Sequence, residues 1–298
     1  MAFRRSFLRS AGLLPVLTLA LGCVNVSGSN TGWFTQTDEK RFSVEGRPEV
    51  VLSTFDGSIE IRSWDRPDVL VVVEKHAANQ AAAGTIEVLS AQQGNRVSVE
   101  VKSRGSHMFG WWMGGGRARL IVSVPQSADI RAASGDGYID LDRVNGTIVL
   151  RSGDGRIHAA NSSGDVSVAT GDGSIELDHV DGMIEATTGD GRVKAVGKLT
   201  GLRARSGDGS IAIQADPGST AGADWNITSG DGSITLQIPD GFNAQLDART
   251  GDGGIRLEGV NVAGSAAITR NSASGQLGSG GRALRVRTGD GSITLRRF

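Results

Sequence analysis

Cysteine, aromatic side chains, net charge and long apolar runs are all scarce in this 298-residue chain. Cys23 is the only cysteine, so no intramolecular disulfide can form. Lysine plus arginine number 31 against 32 acids, and no basic stripe runs through the sequence, which excludes the electrostatic footprint of nucleic-acid binding. Aromatics are 5% of residues while glycines number 44, a balance that suits a turn-rich all-β chain better than a helical one. The apolar run Ala11–Leu21 falls short of the roughly 20 residues needed to span a bilayer. Only Ala77–Ala83 (AANQAAA) looks helical.

The start of the chain reads as an export signal. Arg4, Arg5 and Arg9 stand without an acid, the short apolar run follows, and Gly22-Cys23 closes it. Arg4-Arg5-Ser6-Phe7-Leu8-Arg9 resembles the twin-arginine export motif, with general secretion as the competing route. Leu19-Ala20-Leu21-Gly22-Cys23 resembles a bacterial lipobox, although Ala20 stands where leucine is usual. The expectation is a signal peptide over 1–22, cleavage after Gly22, and a lipid on Cys23 that ties the protein to a membrane of the cell envelope. Residues 23–37, rich in Ser, Asn and Gly, read as a flexible tether.

Two further regions follow. Residues 38–130 form a strand-rich N-terminal part with a hairpin predicted over Thr85–Ser103, turning at Gln92–Asn95. Residues 131–298 are a repeat array. Four contiguous 18-residue units begin at Ser134, Ser152, Thr170 and Thr188, each opening Ser/Thr-Gly-Asp-Gly; the opening recurs at Ser206, Ser229, Thr250 and Thr288. Phe55-Asp56-Gly57-Ser58-Ile59-Glu60-Ile61 foreshadows the pattern in degenerate form. Ile139, Ile157, Ile175, Val193 and Ile211 are equivalent, and Ile148, Val166, Ile184 and Leu202 form a second set nine residues on. Each unit therefore holds two short strands with one side buried.

Two all-β architectures fit: a β-solenoid, with each unit one coil, or an antiparallel meander turning at pairs such as Asn145-Gly146 and Asp181-Gly182. Near-identical residues at equivalent positions of whole units favour the solenoid. Insertions at Asp216–Gly218 and Ser274–Gly281 are expected as corner loops, with Phe298 closing the end of the core.

The candidate chemistry is sparse. Stacked coils would align Asp136, Asp154, Asp172, Asp190 and Asp208 into a like-charged ladder, and calcium would relieve the repulsion. Calcium-binding β-rolls, however, read Gly-Gly-x-Gly-x-Asp, whereas here Asp sits between two glycines. The expectation is that each aspartate hydrogen-bonds the backbone of its own turn and faces water, with no metal or other cofactor. A carbohydrate-active β-helix enzyme would need paired unlike carboxylates. The four histidines have no ligand spacing, and no nucleophile motif or phosphate loop is present, so no catalytic residue is assigned and the chain reads as a non-enzyme. Phe109, Trp111 and Trp112, set among glycines and flanked by Arg104, Arg117 and Arg119, form a candidate tip for a lipid interface or a partner; the alternative is that they fold over the first coil.

Phe42-Ser43-Val44, Asp56–Ile61 with Trp64-Asp65, and Leu120–Pro125 leading into the Ser/Thr-Gly-Asp-Gly-x-Ile units carry a resemblance over Lys40–Phe298. On these residues the chain resembles the bacterial putative-adhesin domain family, a domain-of-unknown-function class of envelope proteins. That resemblance implies a β-solenoid at the cell envelope with no established catalytic site, and the reading is a binding scaffold for an envelope protein or glycan. A link to envelope-stress regulation is the alternative it implies. No functional residue carries over.

Overall fold

The apolar columns become the inside of a two-faced stack. The computed structural model describes residues 23–28, 34–104 and 116–298. The chain first forms β1 (Cys23–Gly28), β2 (Phe34–Ser43), β3 (Glu49–Thr54), β4 (Ile59–Trp64), β5 (Asp68–Ala77) and the one short helix α1 (Gln80–Gly84). Next come β6 (Ile86–Gln93), β7 (Arg96–Ser103), β8 (Arg117–Pro125), β9 (Asp129–Ser134), β10 (Ile139–Asp142), β11 (Asn145–Ser152), β12 (Ile157–Thr170) and β13 (Ile175–Thr188). The remainder is β14 (Val193–Gly197), β15 (Leu199–Ser206), β16 (Ile211–Ala215), β17 (Trp225–Ser229), β18 (Ile234–Ile238), β19 (Ala244–Thr250), β20 (Ile255–Glu258), β21 (Val262–Ile268), β22 (Ser272–Leu277), β23 (Ala283–Thr288) and β24 (Ile293–Arg297).

Strands of successive units pair in parallel and in register. Ile157 lies between Ile139 and Ile175, and the second set aligns Ile148, Val166 and Ile184. Parallel pairing rules out the meander: the fold is a β-solenoid. The front face runs β8-β4-β10-β12-β13-β14-β16-β18-β24-β20. The back face runs β7-β3-β9-β11-β12-β13-β15-β17-β23-β19. β12 and β13 each serve both faces, bending at Asn161 (φ 50°) and His179 (φ 54°). The Asn145-Gly146 and Asp181-Gly182 pairs make no hairpins; Gly146, Gly164 and Gly182 stack on one another just past those bends.

One hydrophobic core runs from Phe42 to Leu295, on both sides of residue 130. Ile59 stacks directly on Ile139, placing the degenerate 55–61 segment within the solenoid. The hairpin expected over Thr85–Ser103 forms as antiparallel β6 and β7.

The order of coils in space departs from their order in the chain at both ends. The β3/β4 coil lies between β7/β8 and β9/β10. The last coil, β23/β24, lies between β17/β18 and β19/β20. Phe298 therefore does not close the core, and it is half-exposed. The Ser274–Gly281 insertion is not a plain loop either: Ser272–Leu277 is strand β22, antiparallel to β19, with β21 antiparallel to β22. Asp216–Gly218 is a connecting turn between β16 and β17, as expected.

The first end is closed by an antiparallel cap. β5 pairs with β8, β2 with β5 and β1 with β2, while β6 flanks β7. Lys40 on β2 donates to Ser90 on β6 at 2.8 Å, joining the two faces over the end, and Phe42, Val71 and Val73 are buried beneath. The Lys75 ammonium meets Asp38 at 2.8 Å in the same cap. Residues 23–28 and those from Phe34 onward are strand, with β1 antiparallel to β2.

Candidate interaction surface

Eight of the coils turn at Ser/Thr-Gly-Asp-Gly, and the first residue does the knitting. Ser152 donates to the carbonyl of Gly137 in the neighbouring coil at 2.9 Å and accepts the Gly155 N–H of its own turn at 3.1 Å. Thr188 repeats this with the Gly173 carbonyl at 2.8 Å and the Gly191 N–H at 3.2 Å. Ser206, Ser229 and Thr250 do the same, and all eight such hydroxyl residues are buried. The fourth position leaves no room for a side chain: a Cβ on Gly155 would stand 2.1 Å from the Gly137 carbonyl oxygen.

The aspartates sit outside this lattice. Asp136, Asp154, Asp172, Asp190 and Asp208 all face water, as expected. The turn N–H expected to bind them goes instead to the Ser/Thr hydroxyl. Among the described residues, no group of three or more His, Cys, Asp or Glu could hold a metal ion. The hydroxyl ladder was missed because charge draws attention first, yet every one of the eight openings has Ser or Thr at that position.

Outward positions differ from coil to coil. One front-face column reads Glu60, Asp140, His158, Glu176 and Lys194. His158 Nδ1 lies 2.6 Å from Asp140, and its Nε2 lies 3.5 Å from Asp178. Lys194 reaches Asp178 at 2.9 Å and Glu176 at 3.1 Å. Burial raises the Asp178 carboxyl, but Lys194 and His158 outweigh it and hold it below the usual range. Nearer the cap, Arg119 grips Glu60 with two nitrogens at 2.8 and 2.9 Å, and Tyr138 donates to Glu60 at 2.6 Å. The Arg119 hydrogen bonds hold Glu60 low against its burial, and the bond to Glu60 pushes the Tyr138 hydroxyl up. On the back face the matching column reads Arg131, Val149, Ser167, Glu185, Arg203, Asn226, Arg285 and Asp247. A shallow polar groove of about 330 Å³ opens beside Arg47, lined by Asn145, Thr147, Ser163 and Asp165. These surfaces are networks of paired charges and hydroxyls, suited to recognition by hydrogen bonding.

Cys23 is the first residue of β1, opposite Glu39 at the outer edge of the cap. Gly22 and the 1–22 signal lie outside the described residues, as do Phe109, Trp111 and Trp112. Two arginines expected to flank the aromatic tip are engaged elsewhere, Arg104 with Glu87 and Arg119 with Glu60 and Glu74. Among the described residues, no helix is long and apolar enough to cross a membrane.

A family profile described as Toastrack DUF4097 matches residues 49–296. The chain belongs to that family. The match starts at β3 and stops within β24, so it takes in every coil of the Toastrack solenoid and leaves out β1 and β2. No curated protein matches the chain. Among solved structures, a putative cell adhesion protein from Clostridium sporogenes is 14% identical with a TM-score of 0.30, covering 88% of this chain and 100% of that one. A putative adhesin from Parabacteroides merdae is 11% identical with a TM-score of 0.37, covering 89% of this chain and 97% of that one.

Proposed function

We propose that this protein is a non-catalytic binding scaffold of the cell envelope, held to a membrane by a lipid on Cys23 and engaging an envelope protein or glycan through its coil faces. The observation that carries the reading is the contrast between inside and outside. Inward columns and corners repeat from coil to coil, while the outward column changes from Asp140 to His158 to Glu176 to Lys194. A rigid frame holding varied side chains about 4.8 Å apart is a display surface. The lone cysteine after an apolar run supports the anchor, and Cys23 is the first residue of β1 in the cap.

The anchor is tested by labelling cells with palmitate and fractionating them. The wild type should carry label and sediment with membranes, whereas Cys23→Ser should be unlabelled and soluble. Identical fractionation of the two forms refutes the anchor.

A further inference from the structure

No basic stripe runs through the sequence, but the fold assembles one on the back face. β23 is inserted between β17 and β19, so its outward Arg285 and Arg287 stand between Asn226 and Thr228 on one side and Asp247 and Arg249 on the other. Beyond β17, Arg203 and Arg205 of β15 align with Asn226 and Thr228. Five exposed arginines from three distant segments thus share four neighbouring strands about 4.8 Å apart. Leu202, Trp225, Leu284 and Leu246 are buried beneath them, which fixes their outward direction.

Acids meet only part of this charge. Arg203 lies 3.5 Å from Glu185 and Arg285 3.3 Å from Asp224, while Arg249 and Arg287 share Asp247 at 2.9 and 3.2 Å. Among the described residues, Arg205 has no acidic partner, and neither has Arg282 at the corner where the chain enters β23. Arg282 borders a groove of about 420 Å³, lined also by Thr220, Ala221, Asn243 and Gly280. Asn243 is fixed there by accepting the Ser279 N–H through Oδ1 at 2.8 Å. Ala283, the first residue of β23, follows Arg282 directly, so the groove opens beside the arginine face.

We propose, on the reading of the coil faces as a display surface, that the groove and the arginine face together bind a linear polysaccharide whose sugars carry carboxylates. In the groove, the Arg282 guanidinium pairs with one carboxylate through two N–H donors, while the Thr220 hydroxyl and the Asn243 amide meet sugar hydroxyls. Small Ala221 and Gly280 leave room for a sugar ring. From there the polymer crosses the back face toward Arg205, which takes a second carboxylate. Asp224 and Asp247 lie between the two cations and accept from sugar hydroxyls on the way.

The spacing of charge favours this ligand over a denser polyanion. Glu185, Asp224 and Asp247 sit among the arginines, and exposed Asp208, Asp231, Asp290 and Asp252 line the next corner. Duplex nucleic acid, with one charge about every 1.7 Å, would meet those acids wherever it lay. The outward columns of the four strands also hold no aromatic ring on which a base could stack. A polysaccharide of uronic acids carries its charges a whole sugar or more apart, and its hydroxyls use the acceptors that the acids supply.

Binding of the purified protein to polygalacturonate, with neutral dextran as reference, tests the assignment independently of the anchor. The protein should bind polygalacturonate and not dextran. Arg205→Ser combined with Arg282→Ser should weaken binding by about tenfold or more, because charge-assisted hydrogen bonds are lost at both ends of the site. Arg151, exposed on the same face three coils from Arg205, is the control, and Arg151→Ser should leave binding unchanged. All three side chains are exposed, so melting temperatures should not move. Equal losses in Arg151→Ser and in the double variant would reduce the binding to overall charge and overturn the proposal. So would binding to dextran, binding to neither polymer, or binding to single-stranded DNA or phosphatidylglycerol vesicles as tight as that to polygalacturonate. Each of these results strikes the acidic ligand alone and leaves the display reading to an envelope protein or another glycan.

Discussion

Gly155→Ala is expected to lower stability by about 3 kcal/mol or more, and the melting temperature by about 10 °C. The added Cβ would lie 2.1 Å from the Gly137 carbonyl oxygen and 2.5 Å from its carbon, so backbone must move against backbone. No rotamer relieves that contact, because neither partner has a flexible end. Parting the coils also strains the Ser152 hydroxyl, which bonds to Gly137 and to Gly155 at once. Asp154→Ala, one residue earlier and exposed, should change stability by no more than about 0.5 kcal/mol. Thermal melts of the two variants side by side separate a corner built on close approach from one built on charge. Equal losses would show that the carboxylate is structural.

Ile293→Ala is expected to cost about 3 kcal/mol. Ile293 is 1% exposed and sits between Ile234 and Ile255 in the front face, because the last coil is inserted into the stack. The end of the front face is Ile255, earlier in the sequence and only half-buried, and Ile255→Ala should cost about 1 kcal/mol. Denaturant titrations of both variants check the order of coils; a larger loss at Ile255 than at Ile293 would restore the sequential order.

That inserted coil also marks where the sequence stops being legible. The 18-residue period and the Ile139, Ile157, Ile175 column point to parallel stacking without any coordinates, and the Phe55–Ile61 motif points to a coil outside the regular array. The order of the end coils cannot be read the same way. SGDGSITL at Ser229 and TGDGSITL at Thr288 present almost the same register to any neighbour, so pattern alone cannot say which coil lies beside which. Sequence order is the natural guess, and it fails where long connections, as between β20 and β23, let the chain double back. The edge at β20 was hidden for the same reason, since it becomes an end only once β24 is inside. The carboxylate ladder drew a chemical reading from its regularity, whereas the regularity belongs to the glycines and hydroxyls on either side of it.

The most direct test of that account is the melting temperature of a chain in which Asp136, Asp154, Asp172 and Asp190 are all replaced by Asn, measured in excess calcium and in EDTA beside the wild type. Like charges about 5 Å apart repel by roughly 1 kcal/mol per pair in water, so the Asn chain should melt at or above the wild type, and calcium should shift neither. A wild-type melting temperature that rises with calcium and loses that rise in the Asn chain would contradict the account and make the corner ridge a cation site.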